Sequence, residues 1–522
     1  MRPFSLGVAF LAFSATAVAQ SSLAAQIGAM VAEPAVIRAH WGVMVTALDG
    51  TSIFALNEGQ LFQPASNAKL FTTTAAVHLL GENRRFTTSV EGAAGATMQG
   101  DLTLRGGGDA NFSGSDVPYV EPADRPKGAA KADPLRDLAE MADRVAATGL
   151  KHVTGDVVGD DTFFPWEPYA PDWAADDLVW GYGAPVSALT VMDSQLQLKV
   201  VAGARAGAAA AVMLDPAVGF YTLQTSVATV PAKTADAVQV DRALGSKVLT
   251  VSGTIAADSK VFVEEVAIDD PAAYSAAAFK SLLEARGVTV DGVARAAHRT
   301  PLETAGFLKQ TREPLPNLPT AALGPVSKFI TGQSVCMDAC PLRVEHVSPT
   351  LIEDVVATNK ESQNLHAELL LRQLGKAYGS DGSIAQGARV VRQFLLNAGL
   401  DKDDFVFYDG SGLSGHDLVT PRAVARLLQF ATTQPWFADW RRSLPVGGVD
   451  GSLTGRFPKE PLKGHVFAKT GTLGEARALS GYVDCASGRT VIFSILVGNH
   501  VPGTSADRDV MDRIVAAIAA AN

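Results

Sequence analysis

Ser66 and Lys69 stand three residues apart in Pro64-Ala65-Ser66-Asn67-Ala68-Lys69, at the head of an apolar run. A serine hydroxyl becomes an effective nucleophile once a nearby base takes its proton. On a helix, residues i and i+3 share a face, so this spacing brings the lysine amine to the hydroxyl. A helix start also presents the positive end of the backbone dipole to the charge that develops on an attacked carbonyl. The chemistry implied is covalent acyl transfer. By itself the pair is unspecific, because most Ser-x-x-Lys pairs are solvated helix surface. Two further segments make it specific. Ser362-Gln363-Asn364 lies in 359–368, a second predicted helix start, where the plain alternative for Ser362 is a helix cap. Lys469-Thr470-Gly471-Thr472 follows Val466-Phe467-Ala468, which reads as a strand.

These groups need a frame that brings them together. Residues 42–48 and 51–56, joined at Asp49-Gly50, read as a hairpin with a tight turn. The Ser66 helix runs to about Leu80 and ends at Gly81. Near the other terminus, 466–469, 478–484 and 491–497 read as strands, and Ser505 is the predicted cap of a last helix with Val510, Ile514 and Ile518 on one face. Two distant segments that carry one chemistry belong to one unit. An antiparallel sheet built from both ends of the chain and packed against helices satisfies that.

The long span between Ser66 and Ser362 exceeds any single-domain connection and must hold inserted structure. Within it, 99–105, 153–160, 196–201, 247–254 and 260–267 read as short strands, and 274–286 as a helix capped by Gly287. Gly106-Gly107-Gly108-Asp109 lacks the Lys-Ser/Thr of a phosphate loop and reads as a turn.

At 522 residues the chain is too long for one ordinary domain, and its 47% hydrophobic content suffices for large cores. A net charge of −10 argues against nucleic acid as a partner. Arg2, an apolar run from Phe4 to Ala15 and Ala17-Val18-Ala19 read as a cleaved signal peptide over 1–19. The expected location is therefore the periplasm. No other stretch is apolar enough to span a bilayer. In an oxidising compartment Cys336 and Cys340 are candidates for a small-ring disulfide, with metal binding as the rival, and Cys485 reads as a buried thiol.

With these residues in hand, the chain resembles the low-molecular-mass class C penicillin-binding proteins, the D-alanyl-D-alanine carboxypeptidase/endopeptidase family. The set Ser-x-x-Lys, Ser-x-Asn and Lys-Thr-Gly carries the resemblance. It extends through Leu104–Asp109, Gly159–Phe164, Asp409–Ser414, Leu444–Gly451 and Leu479–Tyr482. The long gap between the first two motifs separates it from class A β-lactamases, and Ser-x-Asn in place of Tyr-x-Asn separates it from class C β-lactamases.

The resemblance implies an α/β fold of α+β type: a transpeptidase/β-lactamase-like domain, with antiparallel sheet and flanking helices, carrying nested, mostly β insertions. The expected division is 20–90 and 315–522 for the catalytic domain, 91–194 and 253–314 for insertion II, and 195–252 for insertion III. It implies Ser66 as the nucleophile, Lys69 as its base, Ser362 as proton relay to the leaving amine and Asn364 as a substrate-amide binder. Lys469, Thr470, Gly471 and Thr472 form the substrate-carboxylate strand, with the N–H groups of Ser66 and Thr472 as oxyanion hole. The implied partners are peptidoglycan stem peptides, with β-lactams as covalent inhibitors and no metal or organic cofactor. Two positions depart from the family pattern and leave the preferred substrate side chain open. Gly415-His416 follows Ser414 where Arg is frequent, and Pro165 stands where an acid is frequent. Two other readings keep the fold: a non-catalytic peptidoglycan-binding scaffold, and a β-lactamase or esterase.

Overall fold

The structure is a computed structural model that describes residues 22–113, 117–121, 124–125, 133–322 and 342–522. The predicted signal peptide and the Cys336/Cys340 pair lie outside the described residues.

The two ends of the chain meet in one five-stranded antiparallel sheet. Its order is Val466–Thr472, Arg477–Asp484, Thr490–Gly498, His40–Ala47, Ser52–Leu56. The register pairs Lys469 with Ser480, Leu479 with Ile495, and Val43 with both Ile495 and Leu56. The central strands are buried on both faces, which is why 491–497 reads as an unbroken apolar run rather than an alternation. Helices Leu23–Val31 and Ala506–Ala521 cover one face through Ile27, Met511, Ile514 and Ile518. On the other face lies a helical core built around Phe71, Leu79, Leu369, Phe394, Trp436 and Trp440. Ser505 does sit at the cap position of the last helix, but its side chain makes no capping bond there.

The Ser66 helix is Ala68–Leu80, preceded by a 3-10 turn over Ala65–Asn67. Every residue of it is buried. Gly81 ends it at φ +85°, a conformation that suits glycine.

A second sheet is made from the intervening sequence. Its order is Ala294–Ala297, Val157–Asp160, Leu102–Arg105, Thr87–Gly92, Leu342–Val347. Helix Pro271–Glu284 packs on it, with Asp270 accepting from the Ala273 N–H as N-cap and Pro271 at the first position. Beyond it are two three-stranded sheets. One orders Thr222–Val230, Val248–Ala256, Ala237–Asp241; the other orders Phe262–Ala267, Gln195–Val201, Ala211–Asp215.

Strand pairing crosses two of the expected domain edges. Val248–Ala256 runs through the 252/253 edge, and Phe262–Ala267 pairs with Gln195–Val201, so hydrogen bonding carries the inner unit on to 267. Thr87–Gly92 runs through the 90/91 edge and pairs with Leu342–Val347, a strand expected in the catalytic domain. The physical reason is that a strand cannot be divided between units without leaving its ladder groups unpaired.

Candidate active site

The nucleophile turn is strained and clamped. Ala65, fully buried, has φ +45°, a left-handed conformation that is costly for a residue with a side chain. Gly412, at φ +83°, approaches so closely that a Cβ there would collide with the Ala65 carbonyl. On the opposite side a Cβ on Gly471 would lie 2.7 Å from the Pro64 carbonyl oxygen. Asn67 ties the turn to the sheet by donating to the Lys469 carbonyl at 2.9 Å. The two glycines are needed because backbone meets backbone at Ser66.

Lys69 Nζ lies 3.0 Å from Ser66 Oγ, 2.6 Å from Asn364 Oδ1 and 2.9 Å from the Ser411 carbonyl oxygen. Its side chain is fully buried. Burial pushes its pKa down to about 7, against the opposing pull of the Asp409 and Glu368 carboxylates. Two of the three partners, the Asn364 and Ser411 carbonyls, can only accept. A neutral amine spends its two N–H bonds on them and turns its lone pair to the Ser66 hydroxyl.

Lys469 Nζ donates to Ser362 Oγ at 2.8 Å and to its neighbour's carbonyl, Thr470 O, at 3.1 Å. Burial, and then the Lys69 charge, hold its pKa well below the usual lysine range. Ser362 occupies the break between helices Leu351–Lys360 and Asn364–Tyr378, at φ +61°. The cap position of the second helix belongs to Gln363, not Ser362, so the plain helix-cap alternative fails. Asn364 opens that helix and spends its Nδ2 on the Tyr182 carbonyl at 2.9 Å.

The strand Val466–Thr472 is an edge of its sheet. Its first half is covered: Gly447 donates to the Val466 carbonyl, and Ala468 donates to the Pro445 carbonyl. The half from Lys469 to Thr472 carries the cleft rim. Thr470 Oγ1 pairs with Ser452 Oγ at 2.7 Å, and Thr472 is exposed. A cavity of about 390 Å³ opens there, lined by Ser66, Ser362, Asn364, Thr472, Asp177 and Tyr182, among others. The predicted site residues thus converge on one cleft, with Thr470 and Gly471 in its rim strand.

Several residues with clear structural roles were not predicted. Glu368 is buried one turn after Asn364 and accepts from the Gly410 and Ser411 N–H groups at 2.9 and 2.8 Å. Asp409 accepts from Gly412 N, Ser414 N and Trp173 Nε1. Together they fix the loop whose Ser411 carbonyl holds Lys69. The i, i+4 spacing of Asn364 and Glu368 was a legible signal that they share a face. Asp177 and Tyr182, joined by a 2.7 Å hydrogen bond, came from a stretch with no motif. Glu361 and Glu368 flank the second motif, but neither lines the Ser66 cavity. His416 is an exposed loop residue 3.8 Å from Asp172. Cys485 is buried and its thiol pKa is pushed up by that burial.

The chain as a whole is similar to known proteins. The model of the D-Ala-D-Ala carboxypeptidase 3 (S13) family matches residues 23–323 and 324–521. A D-alanyl-D-alanine carboxypeptidase of Actinomadura sp. (strain R39) is 32% identical over 494 residues, covering 92% of this chain and 81% of that relative. Penicillin binding protein 4 of Haemophilus influenzae superposes with a TM-score of 0.73 at 21% identity, covering 94% of this chain and 98% of that one. The same protein complexed with a β-lactam gives a TM-score of 0.70 at 20% identity, over 95% and 99% of the two chains. These likenesses match the transpeptidase-like fold with inserted units. The chain belongs to the D-Ala-D-Ala carboxypeptidase 3 (S13) family.

Proposed function

We propose that this serine-type D-Ala-D-Ala carboxypeptidase works on peptidoglycan stem peptides in the periplasm, through an acyl-enzyme on Ser66. One observation carries the reading: Lys69, pushed down to about pKa 7, has two carbonyl acceptors for its N–H bonds and keeps its lone pair for Ser66 Oγ.

The substrate peptide lies along the open half of the edge strand, as peptides add to sheet edges. Its terminal carboxylate meets Lys469, Thr470 and Thr472. That negative charge draws a proton onto Lys469, and the cation so formed favours neutral Lys69. Ser66 Oγ then attacks the carbonyl carbon of the penultimate D-alanine while its proton passes to Lys69. The Ser66 and Thr472 N–H groups hold the oxyanion. As the C–N bond breaks, Ser362 gives its proton to the leaving amine and recovers one from Lys469. The proton held by Lys69 then refills Lys469, which leaves Lys69 neutral; water attacks the ester and gives its proton to Lys69, and as the ester C–O bond breaks that proton returns to Ser66 Oγ. In the endopeptidase reaction the leaving group is a cross-linked diamino acid. A β-lactam is attacked by the same oxygen, and its ring nitrogen takes the proton. The carboxylate of Asp177, in the cavity wall beside Ser66, is placed to pair with an ammonium on the substrate side chain.

The β-lactamase reading lacks a support in the site. Glu368 is engaged behind the loop at 410–411, and no glutamate lines the Ser66 cavity among the described residues. The test is release of D-alanine from a disaccharide pentapeptide by wild type and by Ser66→Ala. Release that depends on Ser66 is expected. Release unaffected by the substitution, or none by folded wild type, overturns the reading.

A further inference from the structure

His366 lies in the first turn of the helix that carries the second motif, two residues after Asn364, and is buried. Both of its ring nitrogens face carboxylates. Nδ1 is 2.6 Å from Asp354 Oδ1, and Nε2 is 3.2 Å from Asp193 Oδ1. A neutral imidazole has one N–H and would aim a lone pair at one of the two anions. Only the imidazolium donates to both. The two acids come from different parts of the molecule. Asp354 is on helix Leu351–Lys360, while Asp193 is in the turn that opens the inner inserted unit at Gln195.

That turn is under strain. Met192, Asp193 and Ser194 have φ of +52°, +54° and +56°, three consecutive left-handed residues without a glycine. Such a run costs energy at each residue and persists where the surroundings hold it. Here Asp193 is held by the second motif: Oδ1 faces His366, and Oδ2 accepts from Gln363 Nε2 at 3.4 Å. Gln363 lies between Ser362 and Asn364. The inner unit and the motif also share the walls of a cavity of about 680 Å³, which includes Gln195, Ser362, Gln363 and Asn364.

We propose that His366 and Asp193 form an ionic latch through which the inserted unit positions Ser362 and Asn364 for reaction. His366 and Asp193 are positioning residues, since neither lines the Ser66 cavity. This rests on the acyl-transfer reading of that cavity. Asn364 receives one N–H of Lys69 and Ser362 receives one of Lys469, so a shift of the helix start misdirects both lysines together. The anchor continues away from the site, where Asn111 donates to Asp354 Oδ1 at 3.0 Å.

The latch is titratable. The charges facing His366 are Asp354 from its helix, Asp193 from the strained turn, Glu361 from the helix break and Asp109 from the loop after Leu102–Arg105. Its pKa is raised to about 10 by the two hydrogen-bonded carboxylates, against burial. Removing one carboxylate moves that value down, so the latch opens at lower pH.

The test measures acylation by a fluorescent penicillin, across pH, in wild type, Asp193→Asn, His366→Asn and the double variant, with melting temperature alongside. Asn keeps the size of Asp193 and tolerates the left-handed backbone. Expected are acylation about 10- to 100-fold slower in each single variant, the loss caused by misplacing reacting groups. The double variant should be no slower than the slower single, because both residues act through one link. In Asp193→Asn the alkaline limb of the rate should move to lower pH, which a merely structural role would not do. A folded Asp193→Asn with wild-type acylation rate and unmoved alkaline limb overturns the latch. Folded wild type that is not acylated at all overturns the acyl-transfer reading instead, and the latch with it.

Discussion

The catalytic sheet and the innermost inserted sheets are built from the same kind of element under opposite conditions. In the catalytic sheet every interior residue of Thr490–Gly498 is buried, because helices cover both faces. In the inner unit, Ala211–Asp215 and Ala237–Asp241 alternate exposed and half-buried residues, and Thr222–Val230 buries only Val227 and Thr229. The catalytic sheet is thus one side of a water-excluded core in which burial lowers the pKa values of Lys69 and Lys469. The inner unit keeps a small core about Leu198, Leu249 and Val251, and its outer faces are free. The inserted unit reaches the site through Asp193, which meets His366 and Gln363.

The largest effect is expected at the nucleophile. Ser66→Ala should reduce D-alanine release by at least about 10,000-fold and abolish the penicillin adduct, while the melting temperature stays near wild type. Next comes the base. Lys69→Ala should lower the acylation rate by about 100- to 10,000-fold. In wild type the base must be neutral, so acylation should rise with pH through about 7 to a plateau that ends only at the alkaline limb set by His366, and Lys69→Ala should lack the rise. Gly412→Ala should follow: the added Cβ collides with the Ala65 carbonyl, so both stability and acylation fall. In the inner unit the two properties should separate. Leu249→Ala should cost about 2–5 kcal/mol in a denaturation experiment on that unit, with kcat for a short peptide little changed. The smallest effect is expected on the outer face, where Met213, 44% exposed, can become Ser with a change within about 0.5 kcal/mol. A large loss of activity from Leu249→Ala would show that the two regions are energetically one.

The same contrast explains what was legible in the sequence. The catalytic strands were readable to within a few residues, because burial on both faces writes them as apolar runs such as 491–497. The strands Ala211–Asp215, Thr222–Val230 and Ala237–Asp241 were not, because short alternations of Ala, Thr and Val resemble loop sequence. Their neighbours carry a readable strand pattern, but the pairing of Phe262–Ala267 with Gln195–Val201 joins residues more than sixty apart and carries the inner sheet to 267. At the site, Ser66, Lys69, Ser362, Asn364 and Lys469 were visible as local patterns. The residues that hold them were not. Asp409 acts through backbone N–H groups of its own loop, Asn67 reaches the Lys469 carbonyl, and Asp193 meets His366 only in the folded chain. No spacing rule connects such pairs.

Catalysis here turns on neutral Lys69 taking the Ser66 proton. The direct measurement is the rate of penicillin adduct formation by mass spectrometry from pH 5.5 to 9, with the modified peptide mapped. One adduct is expected, on Ser66, forming faster as pH rises with a midpoint near 7. An adduct on another residue, or a rate on Ser66 that does not change across that range, would contradict it.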